Sequence, residues 1–423
     1  MSAYPSTITL LALLCVSVAL LVWSYRLEIP VPGLTPIYLQ PSETKDGATS
    51  FVLVNTQYLS EESDSVATGD ASLLAPTANE SQSNRIAFQP SRKVESTTVP
   101  PKRAPTTYGT VPDDPRAVYD VTFCSQGTLI RWGFMLEISR RWKGPMSIVY
   151  YFPPENLTTF QELRANTTLR PNIIVDYIIQ MDPDSFPINV LRNKAIENVK
   201  TTHFWLADMD VWPTFHSYDG IMNLPRSFFA DPKNVGIVPI FQNKRLHKCT
   251  TFDDCIAFFH SHLPETKEDL NHCRRSHICE TFRPGENLHN YYFKLWYNES
   301  YTQPLTRLLC FRTDTQEPYV IVRKTPSMPR FDERFTNYAF NKVQWLEHLR
   351  YTGYVFWVVT DAFGFDIPHP PSTYRKDFFK KMKETRKFPM KNVYHQFLRE
   401  MHANFTNESV TPFCRRGQLF VDV

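Results

Sequence analysis

An α/β domain with a mixed central sheet, carried behind a transmembrane helix and a flexible stem, is the fold class this 423-residue chain predicts. Three observations predict it. An apolar run, Thr7–Trp23, opens the chain, and a long stretch rich in Ser, Thr and Pro follows. From Val118 onward, short β-branched and aromatic runs alternate with a segment of helical spacing. The expected domains are residues 1–26 for a short tail and signal anchor, 27–116 for a disordered stem and 117–423 for a lumenal domain. That last part, about 300 residues, is long enough for one core of its own.

The anchor comes first. Apart from Thr9 and Ser17, the interior of Thr7–Trp23 has no polar side chain. At about 1.5 Å per residue the run is at the short end for crossing a bilayer, so a signal peptide and a span both compete for it. Trp23, Tyr25 and Arg26 follow directly where a cleavage site would need small residues. Aromatics at that edge suit a membrane interface, which favours the span. Asn-x-Ser/Thr sequons at Asn156, Asn166, Asn298, Asn404 and Asn407 all lie downstream, as a glycosylated lumenal part requires.

Cysteine usage agrees with an oxidising compartment. Of the 8 cysteines, Cys15 is in the apolar run, and the rest, Cys124, Cys249, Cys255, Cys273, Cys279, Cys310 and Cys414, are odd in number. The close group from Cys249 to Cys279 is expected to pin a local loop. With His247, His272 and His277 the same group offers zinc ligands, but its spacing matches no recurring zinc pattern. A net charge of +3 is too small to imply a nucleic-acid binder, and no zinc-finger or RNA-module signature supports one. The one concentrated basic stretch, Arg375–Lys391, fits a solvated helix face or a surface for an anionic glycan or diphosphate.

The stem, from about Leu27 to Arg116, has few aromatics and no sustained period, too little apolar surface to offset the entropy of ordering it. Val99-Pro100-Pro101 and Val111-Pro112 punctuate its far end. Then come strand-like Val121–Phe123, Met146–Tyr151 and Ile173–Ile179. Ile188, Leu191, Ala195, Ile196 and Val199 place an apolar stripe on one face of a helix. A further strand, His203–Ala207, runs directly into Asp208-Met209-Asp210, so both carboxylates fall at its C-terminal end, the edge where open α/β sheets gather their sites. Val235–Phe241, Tyr319–Val322, a helix around Lys342–Arg350 and Tyr354–Val359 complete the order. The last strand is expected to run antiparallel, which makes the sheet mixed.

Asp208 and Asp210 are the candidates to carry the chemistry, although Asp-x-Asp also occurs in surface turns and in other metal sites. In extended backbone Met209 points to the opposite face, leaving both carboxylates free to share a hard divalent cation. Such an ion suits transfer of a sugar from a nucleoside diphosphate, because charge develops on the departing diphosphate. His369, between Pro368 and Pro370, is a candidate third ligand, and an imidazole beside two carboxylates suits Mn2+. Asp366 can face the same ion or orient that imidazole. Arg192 can pair with the diphosphate or with a metal-bound aspartate, and Asn189 shares a helical side with Asn193 for contact with the nucleoside. Asp332 and Glu333 are the candidates for the base that takes the acceptor hydroxyl's proton; their neighbours Arg330 and Arg334 equally fit structural ion pairs.

Several runs together resemble one known family. They are Phe186–Ala195, Phe204–Pro213, Phe331–Phe335 with Asn337–Lys342, and Pro368–Ser372, in consistent order over about Val118 to Phe397. They resemble glycosyltransferase family 49, which contains β-1,4-glucuronyltransferase and the second catalytic domain of the bifunctional xylosyl/glucuronyltransferase LARGE. The resemblance implies a GT-A-type nucleotide-sugar-binding domain, single-pass type II anchoring in the Golgi membrane with the catalytic domain lumenal, and an inverting, Mn2+-dependent transferase. It implies Asp208, Asp210 and His369 as metal ligands, and Arg192 and Asn193 near the donor. The partners expected are a UDP-sugar, with glucuronic acid the leading guess, and a glycan or glycoprotein acceptor; homo-oligomerisation is open. Ala339 departs from the glycine usual in relatives, and the Cys249–Cys279 loop has no match. Two competing readings are an inactive lumenal glycan-binding or scaffold protein and a metal-dependent diphosphate hydrolase.

Overall fold

The computed structural model describes residues 39–43, 49–53, 116–244, 249–284, 288–289, 291, 293–385 and 390–422. The expected anchor Thr7–Trp23 and most of the stem lie outside the described residues. Among the described residues no helix is long and apolar enough to cross a membrane. The chain divides into two compact units, Met1–Val66 and Ala67–Val423. In the first, β1 (Leu39–Glu43) pairs antiparallel with β2 (Thr49–Leu53), within the stretch expected as stem.

The second unit carries the fold. Its elements begin with β3 (Val121–Gly127), α1 (Trp132–Arg141), β4 (Met146–Phe152), α2 (Leu157–Ala165), β5 (Ile173–Ile179) and α3 (Ile188–Glu197). There follow β6 (His203–Leu206), β7 (Val211–Pro213), α4 (Ser217–Met222), α5 (Arg226–Ala230), β8 (Asn234–Val238) and β9 (Ile240–Asn243). The rest are α6 (Phe252–Phe259), α7 (Lys267–Arg275), β10 (Cys279–Thr281), β11 (Leu305–Arg307), β12 (Tyr319–Arg323), α8 (Val343–Tyr351), β13 (Val355–Val359), β14 (Gly364–Asp366), α9 (Thr373–Thr385) and α10 (Lys391–Asn404).

An 8-stranded sheet runs in the order β11-β13-β8-β12-β6-β3-β4-β5. From β5 to β6 it is parallel. Strands β3 and β4 are buried along their whole length, which suits the nearly continuous apolar run of β4, whereas β3 takes the polar side chains of Thr122, Ser125 and Gln126 into the buried sheet. The sheet is mixed as expected, but the reversed strand is elsewhere. β13 is parallel to β8, and the strand that runs against its neighbours in mid-sheet is β12, antiparallel to both β6 and β8.

The run Val235–Phe241, expected as one strand, is two. Pro239 has no N–H to give a ladder, and the chain changes sheets there: β8 stays in the large sheet and β9 joins a 4-stranded one, β10-β9-β14-β7. In this smaller sheet Gly364 lies so close to the Trp212 carbonyl that a Cβ would sit 2.8 Å from its oxygen, so only glycine permits the β7–β14 pairing there. Disulfide Cys273–Cys279 ties the end of α7 to β10, which meets the expectation of a pinned local loop. A second disulfide joins Cys310 to Cys414 near the C-terminus.

Candidate active site at the C-terminal end of β6

Strand register assembles the first half of the site. Cys124 pairs with Leu206 on one side of β6 and Val320 pairs with Leu206 on the other. Gln126, two residues beyond Cys124, is thereby brought level with Asp208, and Tyr319, one residue before Val320, comes level with Ala207 beside it. The Asp208 carboxylate is held by four donors. Its Oδ1 accepts from Gln126 Nε2 at 3.1 Å and Arg192 Nη2 at 3.0 Å. Its Oδ2 accepts from the Tyr319 hydroxyl and from Lys342 Nζ, each at 3.0 Å. Burial alone would raise this carboxyl's pKa, but the Lys342 and Arg192 charges override it and hold the group well below the usual carboxylate range. Lys342 also lies 3.6 Å from Glu317.

Arg192 sits on the buried side of α3, beside the apolar stripe. Its other nitrogen, Nη1, donates to Asn189 Oδ1 at 3.1 Å and to Asn341 Oδ1 at 2.8 Å. The two asparagines of α3 brace the segment 331–333. Asn189 donates to the Asp332 carbonyl at 2.8 Å; Asn193 donates to the Phe331 carbonyl at 3.0 Å and to Glu333 Oε1 at 2.8 Å, and accepts from the Phe331 N–H. Of the two base candidates, Asp332 accepts from Arg334, which also bonds Glu400, and Glu333 lies 3.7 Å from Arg330.

The small sheet assembles the second half. Asp366 pairs with Val211, and the Ile367 N–H donates to the Asp210 carbonyl at 2.8 Å. The chain beyond β14 is thereby laid alongside Asp210, and His369 Nε2 comes within 2.9 Å of Asp210 Oδ2. His369 Nδ1 is 2.8 Å from the Pro370 carbonyl, which can only accept, so Nδ1 carries the proton. Burial, with help from the Arg131 charge, pushes the His369 pKa down to about 4, so the ring is neutral near pH 7 and its Nε2 presents a lone pair. Phe252 stacks on the ring at 5.5 Å between centroids. Arg131, at the end of a short turn before α1, pairs with Asp210 and reaches His369 Nε2 at 3.4 Å.

A carboxylate oxygen and an unprotonated imidazole nitrogen, 2.9 Å apart, turn two lone pairs toward each other. An octahedral ion with bonds of about 2.1 Å sets neighbouring donors about 3 Å apart, so this pair has the bite of two adjacent ligands. Oxygen with nitrogen is also the donor chemistry that suits Mn2+. The convergence is of two groups: among the described residues no set of three or more His, Cys, Asp or Glu side chains gathers for a metal ion. Asp208 is near in sequence, yet its oxygens are engaged by the four donors above.

Sequence reasoning singled out Asp208, Asp210, His369 and Arg192 but passed over Gln126, Arg131, Phe252 and Tyr319, and gave Lys342 no role. Asp366 gains weight: burial raises its pKa to about 6, and it lines a cavity of about 250 Å3 with Gln242, Asn243, Lys244, Glu280 and Pro368.

Comparison with known proteins bears on this site. A family model described as a glycosyl-transferase for dystroglycan matches residues 168–406, which contain Asp208, Asp210, Arg192 and His369. Xylosyl- and glucuronyltransferase LARGE2s of Gallus gallus is 29% identical over 263 residues, covering 60% of this chain and 32% of that protein. Xylosyl- and glucuronyltransferase LARGE1 of Homo sapiens is 26% identical over 259 residues, with the same two coverages, 60% and 32%. The match therefore spans about a third of the length of these curated relatives. Among solved structures, GalNAc-T7 with UDP, GalNAc and Mn2+ aligns over 70% of this chain and 56% of its own at 8% identity and a TM-score of 0.38.

Proposed function

The chain belongs to the family of glycosyl-transferases for dystroglycan, and from that premise we propose that it is an inverting, Mn2+-dependent transferase that moves a sugar from a UDP-sugar to a glycan hydroxyl. Glucuronic acid is the donor sugar this reading favours, since both similar LARGE proteins are named xylosyl- and glucuronyltransferases. The observation that carries the proposal is the 2.9 Å approach of Asp210 Oδ2 and His369 Nε2, two residues past an Asp208 that holds two buried cations, Arg192 and Lys342.

Asp210 and His369 would hold the ion, with Asp208 the third residue of the expected set. When bound, Mn2+ supplies positive charge to the leaving diphosphate without a proton donor. The chain's own residues do the rest. Arg192 and Lys342, pinned by Asp208, stand pre-oriented where a diphosphate arriving at the end of β6 meets them, so little reorganisation accompanies its binding. Asn189 and Asn193 keep Arg192 and the 331–333 segment in place. In an inverting displacement the acceptor oxygen attacks the anomeric carbon as the bond to UDP breaks, and one carboxylate takes the hydroxyl proton. Asp332 and Glu333 are candidates for that base. Asp366 joins them because it lines the cavity beside His369, whereas the other two are drawn toward arginines. In the cell the reading places this domain in the Golgi lumen behind a type II anchor.

The full chain is tested with a panel of UDP-sugars, with and without Mn2+, against glycan acceptor arrays. Acceptor-dependent, Mn2+-dependent transfer that is lost in Asp210→Asn supports the proposal. Transfer of wild-type rate in that variant, or UDP-sugar breakdown indifferent to acceptor, refutes it.

A further inference from the structure

On the lumenal placement proposed above, the seven cysteines beyond Cys15 leave an arithmetic problem: an odd number in a compartment that oxidises thiols. Two pairs are bonded, Cys273–Cys279 and Cys310–Cys414, and Cys124, Cys249 and Cys255 remain as thiols. These three are not alike. Cys124 lies within β3, fully buried, with its sulfur directed at the Ala195 carbonyl at 3.9 Å. The Cys249 and Cys255 thiols, both buried, face each other closely enough that each perturbs the other's titration.

Local backbone chemistry explains the meeting. Thr251 caps α6, its hydroxyl accepting from the Asp254 N–H at 3.1 Å, while the Thr250 N–H donates to Asp254 Oδ2 at 2.9 Å. This double cap turns the incoming chain back over the first turn of the helix, and Cys249 lands on Cys255. The separation, six residues, equals that of the bonded pair Cys273–Cys279. We propose that Cys249 and Cys255 form a third disulfide, which staples the start of α6 and leaves Cys124 as the single buried thiol of the domain.

The bond forms by exchange with a disulfide carrier of the secretory lumen, a protein or glutathione disulfide. One thiolate attacks the carrier and expels a carrier thiolate; the second attacks the mixed disulfide and expels the other. Two S–H groups of this chain are oxidised to S–S, and the carrier's disulfide is reduced to two thiols. Burial pushes both thiols up in pKa, which disfavours the attacking thiolate in the folded domain. The staple matters because Phe252 lies inside the closed loop. Its ring stacks on His369, and Arg131 lies over its face at 5.5 Å. Helix α6 in turn rests on α1 so closely that a Cβ at Gly133 would meet Ile256 at 2.5 Å.

The test uses the full chain made in a secretory cell, unfolded in denaturant with N-ethylmaleimide and digested with trypsin without reduction. Cleavage after Lys248 and Lys267 places both cysteines in one peptide. That peptide is expected without maleimide and two hydrogens lighter than the dithiol, and chymotryptic cleavage after Phe252 should leave its halves joined. In Cys255→Ala, Cys249 should become reactive to maleimide whether or not the variant folds fully. Maleimide on both sulfurs of the wild-type peptide, or linkage of either to a different cysteine, overturns the proposal, as does a Cys249 that stays blocked in Cys255→Ala.

Discussion

Replacing Asp208 by asparagine separates a structural role from a metal-binding one. The amide keeps the shape but turns one acceptor oxygen into an NH2 group facing donors, so two of the four hydrogen bonds at this residue are lost and two buried cations lose their common counter-charge. Hydrogen bonds to charged groups contribute about 1.5–3 kcal/mol each, so the gross loss is roughly 3–6 kcal/mol. Two facts reduce it. The Asp208 side chain is 28% exposed, so water can replace part of what is lost, and the cations keep other partners, Asn341 for Arg192 and Glu317 for Lys342. A net loss of about 2 kcal/mol remains, which for a domain of about 300 residues lowers Tm by about 3 °C. The assay is thermal unfolding in chelator, with no divalent ion and no nucleotide present. The fall should appear there in full, because Asp208 stabilises the ion-free protein. An Asp208→Asn variant that melts like wild type in chelator would refute the idea that Asp208 anchors Arg192 and Lys342.

Three further predictions follow from other parts of the molecule. Burial, with Arg323 adding to it, lowers the His203 pKa to about 3 from the ordinary 6.5, so between those values the unfolded chain takes up a proton that the folded one refuses and stability falls with pH. From pH 7 to pH 5 this group should cost the wild type about 2 kcal/mol, and denaturant unfolding of His203→Gln at the two pH values should show that slope gone. Removing Cys310–Cys414 by paired alanine substitution releases a loop with a sequence separation of 104 and should lower stability by about 4–5 kcal/mol in denaturant titration. Among Asp366→Asn, Asp332→Asn and Glu333→Gln, the first should lower kcat by about 100-fold or more at little cost in donor KM, as loss of a general base does, and the other two should act chiefly on stability; the reverse order would return the role to the 331–333 segment.

The parallel half of the large sheet was legible because β4, buried on both faces, reads as an apolar run and α3 carries a clear apolar stripe. Asp208 and Asp210 were legible because strand order puts the end of β6 at a sheet edge. The rest depended on register. Nothing near Tyr319, Gln126 or Lys342 in sequence marks them; pairings to β6 and the packing of α8 bring them to Asp208 from far along the chain. The direction of β12 was hidden because a short apolar strand reads the same both ways. Pro239 carried a signal that was passed over: a proline inside a run of strand formers marks an interruption, and here it marks a change of sheet. Asn189 and Asn193 were noticed for the right reason, their shared helical side, but that side faces the 331–333 backbone, whose N–H and C=O groups their amides engage.

The contact between Asp210 and His369 has a consequence for how the chain matures. Its two donors are separated by 159 positions and meet only after β14 has zipped onto β7. A ribosome-bound or truncated chain that ends before Ile367 can possess every parallel strand of the large sheet and still lack His369, the partner of Asp210. On the proposed Mn2+ reading, competence to capture the ion would thus arrive late in synthesis, and the ion would stabilise finished molecules over partial ones.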